Sequence, residues 1–407
     1  MTFRTVIGFF MLLILSRYSI ANDLPVNWQE LPKPYHTESA NNPPRLIPQP
    51  QRASLLVPEG FVVEEYLSDF LRPRFMLLGP DNEILLSDMS AGIVYVIRDR
   101  KAVPLITNLS RPYGMAFYKD WLYVAEASSV KRYKYSSEHG TVGTGEEVIP
   151  LHRYATGHIT RSILFDETAG KLYLTVGSGS NVDQGEPPIR AAVSRYNADG
   201  TGFELFATGI RNPIGLQWYP YAKDDGSNNS DTKALWVTAH ERDGLGDDLV
   251  PDYFTRVEEG GFFGWPYAYI GPHEDPRHAG AAPDKVKQTL YPNVLLGSHV
   301  GSLDFTFYTG TQFPKKYQGG AFLALHGSWN RSKRTGYKIA FVPFEKGRPV
   351  SGPEDFLTGW MLAEDKAEVW GRPVAVLQMH DGSLLISDDG AGKLWRVSYK
   401  ELRRTGD

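Results

Sequence analysis

From Phe61 onward, short apolar runs alternate with turn residues roughly every 8–12 positions, the spacing of a meander sheet. One unit recurs in pattern. Leu71-Arg72-Pro73-Arg74-Phe75-Met76-Leu77-Leu78 leads through Pro80-Asp81-Asn82 to Leu85-Leu86-Ser87-Asp88 and then to Ile93-Val94-Tyr95-Val96. Gly371-Arg372-Pro373-Val374-Ala375-Val376-Leu377-Gln378 leads through His380-Asp381-Gly382 to Leu385-Ile386-Ser387-Asp388 and then to Lys393-Leu394-Trp395-Arg396. Related starts stand at Arg111-Pro112-Tyr113-Gly114 and Arg211-Asn212-Pro213-Ile214, with looser versions at Thr160-Arg161-Ser162-Ile163 and Gly301-Ser302-Leu303-Asp304. Six similar sheets, none able to bury both faces alone, predict an all-β fold: a six-bladed β-propeller of four-stranded antiparallel blades. The last blade is expected to borrow residues 61–66 as its closing strand.

The two ends read differently. Arg4 precedes an apolar run over residues 6–15, and Ser19-Ile20-Ala21 supplies the small residues of a cleavage site. Residues 1–21 therefore read as a secretory signal peptide, too short for a membrane span, and place the mature protein in the periplasm or outside the cell. Residues 22–57 are rich in Pro, Asn and Gln and read as an extended arm or linker, followed by the propeller domain over residues 58–400. No later segment is long and apolar enough to cross a bilayer.

Composition narrows the chemistry. The net charge of −4 gives no basic field, so nucleic acid is not an expected partner. Cysteine is absent, which removes disulfides, thiolate metal sites, Cys nucleophiles and covalent c-type haem. Redox chemistry would need a non-covalent cofactor or a metal held by oxygen and nitrogen. The repeat itself carries a further message. Arg72, Arg111, Arg161, Arg211 and Arg372 stand at or near equivalent strand starts, which a propeller brings to one end of its channel. Five guanidinium groups there suit a small polyanion bound through carboxylates, although any single Arg is more often paired with a loop acid or solvated.

The middle of the chain adds Gly157-His158-Ile159-Thr160-Arg161, Val176-Gly177-Ser178-Gly179-Ser180-Asn181, Gly209-Ile210-Arg211-Asn212-Pro213 and His240-Glu241-Arg242-Asp243-Gly244-Leu245-Gly246-Asp247-Asp248. Gly264-Trp265-Pro266, His326-Gly327-Ser328-Trp329-Asn330-Arg331 and Gly371-Arg372-Pro373 follow. In this order the set resembles the pyrroloquinoline quinone (PQQ)-dependent glucose/sorbosone dehydrogenase family, closest to its sorbosone and pyranose branch, over roughly residues 58 to 399.

The resemblance implies two cofactors, PQQ and Ca²⁺, and a sugar substrate. It implies His158 as the base that takes the substrate hydroxyl proton while hydride leaves. It implies Arg211 beside the reacting quinone oxygen, Asn212 as a second quinone contact, and Arg331 and Arg372 on the PQQ carboxylates. Arg111 and Arg161 are cofactor candidates from the repeat. Calcium is implied at the backbone carbonyls of Asp243 and Gly244. Ser178 stands where the glucose-oxidising branch has an acid, which puts glucose itself in doubt. Trp121, Trp265, Trp329 and Tyr113 are candidate stacking faces for a pyranose, or core. Electrons would leave to an external acceptor, a quinone or a separate cytochrome. Two rival readings are a calcium-dependent propeller hydrolase or lactonase, with Asp88, Glu126 and Asp388 at strand ends, and a propeller that binds without catalysing.

Overall fold

The computed structural model describes residues 24–136, 138, 140–221 and 234–400. The expected signal peptide and its cleavage site at Ala21 lie outside the described residues. Six antiparallel sheets form a propeller. Their innermost strands are Pro73–Leu78, Pro112–Tyr118, Ile163–Asp166, Asn212–Trp218, Ser302–Phe307 and Pro373–Gln378, so each of the six starts read from the repeat begins a blade. Each inner strand packs against the inner strand of the blade before and after it, and Pro73–Leu78 meets Pro373–Gln378 to complete the circle. The ring closes as expected: Phe61–Leu67 pairs antiparallel with Lys393–Tyr399 and becomes the outer strand of the sixth blade.

The recurring Arg-Pro start has a structural cause. Proline has no N–H to give to the ladder. The pairing slips just after Pro73, Pro112, Pro213 and Pro373, and each inner strand bends there. An aspartate closes the irregularity. Asp88 accepts the backbone N–H groups of Leu71, Arg72, Ser90 and Ala91. Asp388 accepts those of Arg372, Gly390 and Ala391, and the Trp395 indole as well. Glu126 accepts Ser110 N–H and is paired with Lys131. The Ser-Asp ending of the second strand is thus a backbone cap, and these acids turn into the blade.

Apolar clusters fill the wedges between neighbouring blades, the largest of them between the fifth and sixth blades around Tyr308, Phe313, Phe322, Trp360 and Trp370. A smaller cluster of Phe75, Tyr113, Ile214, Leu303, Val374 and Ala375 plugs the channel itself. Polar groups that converge on the axis must therefore do so at a mouth.

The arm is more than a linker. Trp28 and Leu31 pack on the core between the third and fourth blades, and Leu55 is buried between the fifth and sixth. Between these anchors the arm crosses the loops at one mouth. Arg45–Leu46 then pairs in parallel with Glu368–Val369. Among the described residues no helix is long and apolar enough to cross a membrane.

Candidate active site at the channel mouth

Two glycines shape the centre. Gly157 has φ +73°, and a Cβ there would stand 2.6 Å from the Gly179 backbone. A Cβ on Gly177 would strike Asn212 Oδ1 and His158 Cβ. Without those atoms His158, Asn212 and the 177–181 turn share one small space. The His158 backbone N–H donates to Ser178 O at 3.1 Å, and its ring Nδ1 reaches the same oxygen at 2.8 Å and Ser178 Oγ at 3.0 Å. A carbonyl oxygen only accepts, so Nδ1 carries the proton and Nε2 carries the lone pair. Ser178 Oγ donates onward to Ser180 O at 2.6 Å, leaving its own lone pairs toward the ring. The hydroxyl that replaces an acid here does orient the imidazole. Burial, and then the nearby Arg211 charge, push the His158 pKa down to about 3. The ring is a neutral base at physiological pH.

Arg211 is buried beside it. Its Nε donates to Asn181 O at 3.0 Å and its Nη1 to Glu241 O at 2.7 Å. Its Nη2 meets Asn181 Oδ1 at 2.9 Å and Asp243 Oδ2 at 3.0 Å. The next residue, Asn212, buries a side-chain oxygen that has no partner. His240 Nε2 and Glu241 Oε1 are likewise buried without partners. Burial pushes the Glu241 carboxyl up to about 8, so it is protonated at neutral pH.

The other sequence candidates divide. Arg372 is held by the carbonyls of His326 at 3.2 Å and Gly327 at 3.0 Å, and lies over the Tyr337 ring. Arg331 pairs with Asp248 at 2.5 Å, at the edge of the mouth. Arg111 is exposed and, among the described residues, donates to Ala155 O at 3.4 Å. Arg161 is fully buried, and its amino groups go to the carbonyls of His158, Thr160 and Tyr154. It braces the loop that carries His158. Of the aromatic candidates, only Trp329 exposes about half its surface, while Trp265 and Tyr113 are core and Trp121 lies under Arg132 and Lys134. Sequence reasoning gave no role to Asn181, Asn330, Arg190 or Asp389, around which Arg72, Arg74 and His326 gather. Asn330 stood inside the quoted Ser-Trp-Asn-Arg run. Asp389 follows the capping Asp388 and carried no pattern of its own.

The residues fit a polyanionic ring. Arg161, Arg190 and Arg372 are buried or half-buried, and they donate to carbonyl oxygens of the backbone. Burial pulls the Arg161 pKa down to about 10, with Arg190 adding to the effect, and burial lowers Arg372 as well. That is positive charge a carboxylate-bearing ligand would relieve. The expected calcium fits less well. The Asp243 carbonyl already accepts three N–H groups, two of them from the Arg242 guanidinium. With its lone pairs so occupied, the carbonyl is not open to a metal in this arrangement. Gly244 is exposed, with φ +87°. The lactonase reading loses its ligands, since Asp88, Glu126 and Asp388 are spent on backbone caps and Lys131.

Fold and site together define a six-bladed propeller with an imidazole base and a guanidinium-rich channel mouth. The chain matches the TrAA12-like family over residues 55–267 and 281–400, and it belongs to that family. An uncharacterized protein of Borreliella burgdorferi is 29% identical over 364 residues, covering 86% of this chain and 92% of that one. A PQQ-dependent pyranose dehydrogenase of Coprinopsis cinerea is 23% identical over 86% of this chain, which spans 55% of that longer protein. The calcium structure of a Trichoderma reesei enzyme of carbohydrate-active enzyme family AA12 superposes with a TM-score of 0.73. It is 19% identical over 86% of this chain and 98% of its own, which shows a shared fold.

Proposed function

We propose that this protein is a PQQ-dependent dehydrogenase that oxidises a CH–OH group of a sugar or hydrated sugar aldehyde. The observation that carries the reading is His158: a neutral imidazole with its Nδ1 proton fixed on Ser178 and its basic nitrogen free, set near Arg211, which pairs with Asp243, and Arg190, which donates to backbone carbonyls. PQQ, when bound, supplies the hydride acceptor. The chain's residues handle the rest. His158 Nε2 takes the hydroxyl proton as the C–H hydride departs, so the carbonyl product forms neutral and not protonated. The Arg211 charge, fixed by Asn181, Glu241 and Asp243, favours negative charge developing nearby. Arg372 and Arg190 hold anionic groups at the rim. Trp329 offers the exposed aromatic face for a pyranose. The signal-like residues 6–21 support a periplasmic or secreted location, with an external quinone or cytochrome as electron acceptor.

The test is titration of purified protein with PQQ, followed by absorbance, and then an aldose and aldehyde screen with an artificial dye. Saturable binding and sugar-dependent dye reduction support the reading. Failure to bind PQQ at micromolar concentration overturns it.

A further inference from the structure

The loop after the second strand of the fourth blade holds a cation of its own. Arg242 is buried, and its Nη1 meets both carboxylate oxygens of buried Asp275, at 3.0 and 2.8 Å. Its Nε and Nη2 turn back onto the Asp243 carbonyl at 3.1 and 2.9 Å, where Asn181 Nδ2 adds a third donor at 2.9 Å. The two carboxylate oxygens of Asp243 go to Asn330 Nδ2 at 2.6 Å and to Arg211 at 3.0 Å. The remaining acids of the loop are also engaged. Asp247 takes the backbone N–H and hydroxyl of Ser332, and Asp248 takes Arg331.

A carbonyl oxygen has two lone pairs, and here three donors share them. A hard divalent cation needs oxygen ligands at about 2.3–2.6 Å, and about six to eight of them. At the Asp243 carbonyl it would lie against a guanidinium group that Asp275 holds in place. Like charges at that range in a buried site repel strongly. We propose that the Arg242 guanidinium is the resident cation of this loop, and that the protein takes up its quinone without a divalent metal. Arg242 fixes the carbonyl, and through it the Asp243 side chain that positions Arg211. The second half of the proposal rests on the PQQ reading above, while the first does not.

The experiment has two arms on full-length, chelator-treated protein. In the first, calcium chloride alone is titrated calorimetrically; no stoichiometric uptake is expected, and one tight equivalent would overturn the assignment. In the second, PQQ is titrated with chelator or with calcium. The two Kd values should agree within about twofold, whereas a tenfold or greater gain with calcium, about 1.4 kcal/mol, would overturn the metal-free proposal. If PQQ fails to bind under both conditions, the function reading falls while the calcium arm still decides the role of Arg242. The double variant Arg242→Gln/Asp275→Asn opens the carbonyl without stranding a buried charge. It should gain calcium uptake, and a response unchanged from the parent would count against Arg242. Should circular dichroism show that variant unfolded, Arg242→Met/Asp275→Leu replaces the buried pair with apolar groups, frees the carbonyl and carries the same expectation.

Discussion

The proposed role of His158 as a base rests on what holds its other nitrogen. With Nδ1–H fixed on Ser178 O, the basic lone pair can only be on Nε2. His158→Gln keeps polarity and loses the proton acceptor, so kcat should fall by about 10²–10⁴-fold while PQQ still binds, read by stopped-flow reduction of the bound quinone. Ser178→Ala leaves the backbone contact and should cost far less. The folded pKa of about 3 lies below the ordinary 6.5, so acid protonates the unfolded chain first and the folded ring stays neutral down to about that pH. Nitrogen NMR of the cofactor-free protein should accordingly show a neutral imidazole throughout pH 5–8, and a midpoint near 6.5 would refute the burial argument.

Glu241 behaves in the opposite sense. Its folded pKa of about 8 lies above the ordinary 4.5, so the folded protein holds a proton that the unfolded chain has already lost. Stability from this group is intact below about pH 4.5 and falls as pH rises toward 8. Glu241→Gln removes that loss. Its stability relative to the parent should rise by up to about 1.4 kcal/mol per pH unit across the window, measured by urea unfolding at pH 5 and 7.5. A pH-independent difference would show that Glu241 is already ionised.

At the scale of the element, the blade is governed by its start and its cap. Proline opens the inner strand, the ladder slips, and the acid at the end of the second strand collects the freed N–H groups. Asp388→Ala would orphan three backbone donors and the Trp395 indole at once. Each unsatisfied buried group costs about 1–3 kcal/mol, so thermal unfolding should reveal a loss of at least about 2 kcal/mol. A near-neutral variant would mean that water replaces the cap. These features explain why the blades were legible in the sequence: Arg-Pro opens three of them and Ser-Asp recurs in two because those blades meet the same backbone problem. The site was legible only in part. His158, Arg211 and Asn212 sit in short motifs tied to strand ends, so the fold fixes where they go. The destinations of the long Arg side chains were not legible, because the same strand start can send a guanidinium group into solvent, as at Arg111, or down onto carbonyls, as at Arg161. The backbone partners that decide between them come from distant loops.

At the scale of the molecule, the arm is the part the sequence hid most completely. It has no apolar period, because it binds largely through polar contacts to loops far away in the chain. Tyr35 N–H meets Leu245 O, and Thr37 Oγ1 takes the Asp247 N–H at 2.8 Å. Asn42 N–H meets Trp329 O, its amide donates to Arg331 O, and its oxygens are held by Arg334. One strap thus ties the loop that bears Asp243 to the loop that bears Asn330, and these two side chains bond across the mouth. Deleting residues 24–44 leaves the closing strand Phe61–Leu67 and the six blades intact, so the far-ultraviolet circular dichroism of the propeller should persist. The loops over 243–248 and 328–335 would lose their outer support and should exchange amide hydrogens faster, with little change in the inner strands. Arg211 would then be less well ordered, and PQQ affinity should fall about tenfold or more as the loops must be fixed on binding. Faster exchange spread evenly through all six blades would assign the arm to ring stability instead. Unchanged exchange and affinity would show that the mouth is rigid without its strap.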